Sequence, residues 1–456
     1  MMLIFPLVYL SSLIYALKNI FSKQYDSILV FFVFGLPIYV TTLSVLDLYG
    51  LGALIPYVQY TKEVVVIFTL GLLVYQMNER PRFTLMDKLV AGYLIYNAIY
   101  IILPLGNYGI FLKIVAFKNI AFFPFIYFVG RLIEPKKVWL SKYQLMICVL
   151  AILAASVLLF ETIFDTHLQT LTGYAGYNYK YQGAEPAGNY GLSWTFEIEG
   201  GIKRFASIFA NPLEHAAATL LTIAVLISSI TKKEIKNKKI FIITSFAAIL
   251  SVIFALSRAS LISFGLVLYI YAIVTKRKNI LLAFHLLFVI GVMSLIYLLS
   301  NNTISEFIIN TFNFTNSSSI SHVIEWVDGI QSIYAHPFGI GMGESGRVAG
   351  ELGLNVGGEN QLIIITVQTG LISLVLYMAI LIISIKWSAI LFTKSSGKSK
   401  QLGILLFIFK IGMIIPMLTA AVESYLYISY VSWFLTGILS TAYENYTSNN
   451  NNIEHQ

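Results

Sequence analysis

The sequence predicts an all-α, polytopic integral membrane protein, and three observations predict it. The 456 residues are 57% hydrophobic and only 11% charged. Their mean hydropathy is +0.78. Apolar runs repeatedly exceed the ~18 residues needed to cross a bilayer. In lipid only helices and closed barrels satisfy their own backbone, and runs this long lack the two-residue alternation of barrel strands. The single cysteine, Cys148, lies inside an apolar run. This excludes a disulfide framework or a thiolate metal cluster.

Met1 to Leu17 is apolar but has no basic n-region and no small-residue cleavage site, so it reads as a retained first span, at about 3–17. Further spans are expected at about 28–46, 61–76, 88–104, 109–130, 143–160, 206–230, 240–256, 259–274, 280–300, 359–385, 402–421 and 422–442. That is about thirteen, within a range of about 12–14. Alternate connections then gather most of the 30 lysines and arginines: Lys18 and Lys23; Arg80, Arg82 and Lys88; Arg131, Lys136, Lys137 and Lys142; Lys232 to Lys239; Lys276 to Lys278; Lys386 to Lys400. The positive-inside rule makes that side cytoplasmic, together with the C-terminus. The formal charge of +8 is thereby explained by orientation, and nucleic acid is not an expected partner.

The opposite face carries two long connections, about 161–205 and 301–358. Three regions follow: 1–200, an N-terminal bundle with the first long loop; 201–385, a core containing the second; and 386–456, the last spans and a short tail. Few cations lie on this outer face, among them Lys62, Arg204, Arg258 and Arg347. Those few need an explanation beyond orientation.

Arg204 stands where the first long loop enters the membrane, and Asn211-Pro212 is a suitable start for the next helix, with Glu214 and His215 in its first turn. Its guanidinium could face a phosphate or pair with Glu197 or Glu199. Arg258, in Leu-Ser-Arg-Ala-Ser, occupies a turn with almost no loop. Near hydrocarbon it requires a partner, a wet cavity or a path to the headgroups. Residues 322–334 read as an amphipathic helix on the membrane surface, with Val323, Val327, Ile330 and Tyr334 on one face. His336-Pro337 ends it, and Gly339, Gly341 and Gly343 suit a tight turn. Glu359 and Asn360 open the next span, either as helix-start residues or, for Glu359, as a general base. Lys113 can snorkel, whereas Lys118 lies about 13 Å into its span and needs a lipid-borne anion or an intramembrane salt bridge. The histidines show no metal-ligand spacing and no phosphate-binding Walker sequence occurs. Neither a metal nor a cofactor is expected.

Taken in order, these motifs resemble the O-antigen ligase and polymerase superfamily of bacterial cell-envelope polysaccharide assembly. The carrying residues are Arg204-Phe-Ala-Ser-Ile-Phe-Ala-Asn211-Pro212, Leu256-Ser257-Arg258-Ala-Ser, His336-Pro337-Phe-Gly339-Ile-Gly341-Met-Gly343, and Glu359-Asn360-Gln-Leu before a span with Gly370-Leu-Ile. The resemblance covers about residues 200–375. It implies a C-type glycosyltransferase-like fold in the bacterial plasma (inner) membrane, with its site facing the periplasm or cell exterior. It implies that Arg204 and Arg258 bind the diphosphate of a polyprenyl-linked oligosaccharide while Glu359 is catalytic. Lys118, His215, His336, Arg347 and Asn360 are further candidate substrate contacts. Relatives that are ligases commonly carry histidine where Glu359 stands, and relatives often carry arginine where His322 stands. The implied function is a repeat-unit polymerase for O-antigen, capsule or exopolysaccharide, working beside a flippase and a chain-length regulator. Ligase-type transfer to a different acceptor, a glycan transporter or flippase, and a noncatalytic scaffold are the alternatives.

Overall fold

A computed structural model describes residues 2–77, 82–198, 201–230, 238–299, 317–351 and 355–454. The chain begins with α1 (Ile4–Phe21), the pair α2 (Ile28–Phe34) and α3 (Tyr39–Leu48), α4 (Ile55–Tyr75) and α5 (Leu85–Ile102). A second pair, α6 (Ile110–Ala121) and α7 (Phe123–Arg131), precedes α8 (Leu140–Ile163). Two short helices, α9 (Leu168–Leu171) and α10 (Tyr174–Gln182), lead to strands β1 (Glu197–Ile198) and β2 (Ile202–Lys203), which pair antiparallel. Then come α11 (Pro212–Ile230), α12 (Lys238–Phe254), α13 (Arg258–Val274) and α14 (Lys278–Leu299). The last part holds α15 (Ser317–Ala335), the short α16 (Arg347–Glu351), α17 (Gln361–Lys394), α18 (Gly397–Gly412), α19 (Ile414–Thr419) and α20 (Leu426–Glu454).

Seven of these helices are long and apolar enough to cross a membrane, and up to nine if each bent pair is one span. Helix α2 meets α3 at 60°, across Gly35 and Pro37, and α6 meets α7 at 48°. Proline explains the second bend. Pro124 has no N–H to give the Ile120 carbonyl one turn back, and the Tyr93 hydroxyl donates to that carbonyl instead, at 3.0 Å. The remaining expected positions are also helical, in α12, α13, α14 and α20.

The three sequence regions interleave. Helix α7 packs along α20, and α5 along α17. Gly130 and Gly437 make the α7–α20 contact possible, since a Cβ on either would run into the facing backbone. Around it lies an aromatic core in which Phe123 stacks on Trp433 with ring centroids 4.0 Å apart.

Contacts between connections sort them into two faces, as the alternation of spans requires. On the cation-rich face Asp26 accepts from the Tyr143 hydroxyl at 3.0 Å, Lys398 donates to the Lys136 carbonyl at 3.0 Å, and Ser228 to the Gln401 carbonyl at 2.8 Å. On the other face Lys180 pairs with Asp47 at 2.8 Å and Glu344 accepts the Asn107 amide. Arg131 is a correction to the reading of that first face. It is not a loop cation but a buried one, with Nε 3.0 Å from Asp87 Oδ1 and Nη2 2.7 Å from Glu444 Oε2.

Helix α17 is broken at Gly370, whose φ of 82° and ψ of 179° suit glycine alone. The break frees backbone groups, and the Pro337–Gly341 segment takes them up. Ile340 donates to the Val367 carbonyl at 2.9 Å, Gly341 to the Gln368 carbonyl at 3.2 Å, and Leu371 to the Pro337 carbonyl at 2.9 Å. The Tyr96 hydroxyl donates to the Thr369 carbonyl at 3.0 Å. The glycine run is thus the structural turn expected of it, inserted into a transmembrane-length helix. Helix α15 starts before the expected 322 and packs on α17 through Gly329, where a Cβ would strike Ile363. Its predicted apolar stripe, Val323, Val327, Ile330 and Tyr334, is exposed, as a surface-lying helix requires.

Three substitutions test this architecture in detergent-solubilised protein. Gly370→Ala meets both the backbone penalty and the Phe338 main chain, and should cost at least about 1–3 kcal/mol, whereas Gly71→Ala, which meets open space in α4, should not destabilise. Equal melting temperatures for the two would sink the account of the break. Arg131→Ala leaves Asp87 buried without its cation and should cost about 3–5 kcal/mol. A loss below about 1 kcal/mol would mean that the network is dispensable.

Candidate functional site

The segment Phe205–Ala210 is held on all sides before it enters α11. Glu161 accepts the amides of Leu168 and Ser207 at 2.8 and 2.9 Å. Gln169 Nε2 donates to the Ser207 and Phe209 carbonyls at 2.9 and 2.8 Å. Ser207, at φ 54°, also donates through Oγ to the Ala154 carbonyl at 2.6 Å. Asn211 then caps α11 by accepting the Glu214 amide at 2.9 Å, with Pro212 in the first turn as expected.

That scaffold fixes Arg204. Its amide donates to the Phe196 carbonyl at 2.8 Å, and its Nε to the Ala255 carbonyl at 3.2 Å. Ala255 lies in the turn before α13, so Arg204 is tied to the turn that presents Arg258. Ser257 caps α13, and Arg258, the first helical residue, is exposed. Glu359 is exposed just ahead of α17, while Asn360 caps that helix by accepting the Leu362 and Ile363 amides at 2.9 and 3.2 Å. Burial lowers the Arg204 pKa from its ordinary value; Tyr425 opposes the shift, Arg258 adds to it, and Glu359 opposes it. The three residues singled out in separate loops therefore share one electrostatic neighbourhood. Glu197, an expected partner of Arg204, accepts the Asn189 amide at 3.2 Å instead, and Glu199 lies outside the described residues.

A cavity of about 540 Å³ lies among α3, α4, α6, α10, α11, α16 and the start of α20. Arg204, Arg258 and Glu359 are not on its wall. Glu214 and Tyr425 line it, and Tyr425 senses the charges of Glu359, Glu214 and Arg204. The cations on the wall are Lys62, Lys118 and Arg347. Lys62 Nζ contacts Glu63 Oε1 at 3.1 Å and donates to the Tyr39 hydroxyl at 3.0 Å. Lys118 Nζ meets the same Glu63 oxygen at 3.1 Å, so the intramembrane salt bridge is present.

Other expected contacts fall elsewhere. His215 is buried, its Nδ1 3.3 Å from the Phe205 carbonyl and its ring stacked on Phe209, so it packs the foot of α11 and does not line the cavity. His336 ends α15 in an exposed position off the cavity wall. Asn360 is a helix cap. Lys113 does not snorkel; it is buried and donates to the Leu103 carbonyl at 2.7 Å. Glu63, Tyr39, Glu161 and Gln169 were not singled out from the sequence. Glu63 carried a usable signal, an acid within an apolar run beside Lys62.

No family model matches the chain, and no curated protein sequence matches it either.

His167 links this scaffold to pH. It sits between α8 and α9, is 2% exposed, and packs against Tyr190, Phe196 and Phe205, the last two flanking the Arg204 backbone. Burial, and then Lys203, push its pKa from 6.5 down to about 4, with Asp165 opposing. Above pH 6.5 the ring is neutral folded or unfolded and makes no difference. Below it the unfolded chain binds the proton first, so stability falls between pH 6.5 and about 4, by up to about 3 kcal/mol. Thermal melts of the parent and His167→Phe across pH 7.5 to 4.5 should diverge in that window. Parallel curves would rule the ring out as the cause.

Proposed function

We propose that this protein is a polysaccharide repeat-unit polymerase of the plasma membrane, built on a C-type glycosyltransferase-like fold of about thirteen spans. In this reading the cation-rich face is cytoplasmic, and the long-loop face meets the periplasm or cell exterior. The observation that carries the reading is that Arg204 Nε is held by the Ala255 carbonyl, in the turn that presents Arg258, at a place where the charges of Arg258 and Glu359 reach it. Two like charges kept close together, one of them half-buried, favour an anionic ligand between them.

The chemistry is a displacement at an anomeric carbon. Glu359 takes the proton of the acceptor hydroxyl, the freed oxygen bonds to the anomeric carbon, and the bond from that carbon to the phosphate oxygen breaks. The electron pair leaves with the polyprenyl diphosphate, and Arg204 and Arg258 stabilise its growing charge. No ATP is needed, because the lipid-linked donor arrives activated. The acceptor is another lipid-linked repeat unit; in the ligase reading it is a different molecule. A flippase remains the second reading, favoured by the paired charges Lys62, Glu63 and Lys118 on the wall of a cavity among apolar helices.

Purified protein given only lipid-linked repeat units should produce a ladder of products. Arg204→Ala or Arg258→Ala should slow it by about 10²–10³-fold, and Glu359→Ala by about 10²–10⁴-fold. A ladder undiminished in the Arg258→Ala/Glu359→Ala double variant would overturn the reading. No elongation until a second acceptor type is added would select the ligase.

A further inference from the structure

We infer that the 540 Å³ cavity holds an uncharged saccharide, seated against helix α10. The inference deepens the glycan-transfer reading and rests on it for its setting, but the residues that carry it lie outside the stretch of sequence resemblance, about residues 200–375. The volume lies in the ~300–1,000 Å³ range of small-molecule sites, enough for a short oligosaccharide.

Helix α10 gives the cavity one of its faces. Tyr174, Tyr177, Asn178, Tyr181 and Gln182 follow one another at helical spacing, so they share a face, and all five are on the wall. A helix packed onto a core carries aliphatic side chains along such a stripe. This one carries rings and amides, and its nine residues include no leucine, isoleucine or valine. The helix is also held in place. Lys180 Nζ and the Tyr181 hydroxyl reach Asp47 Oδ1 at 2.8 and 3.0 Å, and Gln59 Nε2 of α4 donates to the Tyr177 hydroxyl at 3.2 Å. The stripe is therefore set before any ligand arrives. Tyr60 of α4 and Asn119 of α6 continue the same mixture of ring and amide on the wall.

The formal charges on the wall balance. Lys62, Lys118 and Arg347 stand with Glu63, Glu214 and Glu423, and Glu63 Oε1 is 3.1 Å from both lysines. An ionic ligand would add a charge without a counterpart among apolar helices, so an uncharged one is favoured. A hydrocarbon chain is disfavoured for the opposite reason, because it would cover the amides and the charged groups without bonding to them. A saccharide meets both kinds of surface. The C–H face of a pyranose packs on rings such as Tyr60 and Tyr181, which keep 50% and 37% of their surface open, and its hydroxyls bond to amides such as Asn119 and Asn178. Tyr425 ties this wall to the Arg204 group, so the saccharide is the glycan of a lipid-linked substrate.

The test uses the full-length protein, fluorescently labelled in nanodiscs of neutral lipid, on an array of oligosaccharides of neutral hexoses, deoxyhexoses and N-acetylhexosamines. Uronate-containing and sialylated glycans on the same array are the charged comparators. At least one uncharged glycan should be retained above the acidic ones, with an affinity indifferent to salt. Calorimetric titration of that glycan should show a loss of about tenfold on Tyr60→Ala and on Asn178→Ala. Tyr179→Ala is the control for the fold of α10, since Tyr179 is on the same helix but off the cavity wall, and it should bind as the parent does. Inorganic pyrophosphate, the probe of Arg204 and Arg258, should bind all three variants equally. Retention of no uncharged glycan, preference for acidic ones, or affinity unchanged in both Tyr60→Ala and Asn178→Ala overturns the inference. So does an equal loss in Tyr179→Ala, because the face of the helix would then not matter. Glycan binding by protein that builds no ladder supports this site and counts against the polymerase alone; a ladder from protein that retains no uncharged glycan does the reverse.

Discussion

The break in α17 at Gly370 is the constraint on which the outer half of the molecule depends. A helix in hydrocarbon cannot leave backbone groups unpaired, at a cost of several kcal/mol each. Here Val367, Gln368 and Leu371 would be left so, and the Pro337–Gly341 segment supplies the missing donors and acceptor. The exchange is mutual. The loop gains an anchor inside the bundle, and the helix gains the bonds it lost. With that point fixed, α15 is held against α17 on one side, and on the other the chain runs through Gly343, whose amide donates to Gln368 Oε1 at 2.9 Å, to Arg347 at the cavity wall. A side chain at Gly339, Gly341 or Gly370 would occupy space already filled by the facing backbone. The glycines that look in sequence like a ligand loop are there to let two main chains meet.

A second rule governs the charges. Cations within the apolar helices are given partners: Arg131 has Asp87 and Glu444, Lys113 a carbonyl, and Lys410 the face of Trp433, 3.9 Å from the ring centroid. These arrangements orient and lock helices, and they leave little for a ligand to do. The group around Glu63 differs, because one acid is divided between two lysines and a third cation stands nearby. Position separates the two kinds. The locked charges lie within helix contacts, whereas Lys62, Lys118 and Arg347 border open volume.

Much of the helical frame was legible because its signal is long and redundant. An apolar run of ~18 residues survives any local error in reading its ends, and the alternation of cations predicted the same two faces that the inter-loop contacts later join. Arg204, Arg258 and Glu359 were legible for a related reason: charged residues at span ends on the cation-poor face are conspicuous. What could not be read is side-chain partnership across distant segments. Glu161 is 46 residues from Ser207, and Glu63 is 55 from Lys118, and nothing in the intervening sequence records the pairing. Arg131 was misread for the same reason, since a loop cation and a buried one look alike until Asp87 and Glu444 are brought beside it. His215 showed the converse. Its place in the first turn of α11 made it a candidate substrate contact, yet the pinned Phe205–Phe209 segment packs against it.

The separation between the Arg204 group and the cavity bears on how a glycan transferase would keep its substrates apart. A reaction that joins two similar lipid-linked chains must distinguish donor from acceptor by place, since their chemistry is nearly the same. Arg204 and Arg258 offer charge off the cavity wall, whereas the cavity offers a wall that carries Lys62, Lys118 and Arg347. A diphosphate head and the sugars attached to it differ in the same way, one compact and doubly charged, the other extended and mostly neutral. Arg204 is tied by Nε to the turn that carries Arg258, which fixes the direction of its guanidinium. Tyr425 stands between the regions, on the cavity wall and within reach of Glu359 and Arg204. Under the proposed reading, an acceptor hydroxyl reaching Glu359 would come close to this tyrosine, which ties the Arg204 group to the cavity wall.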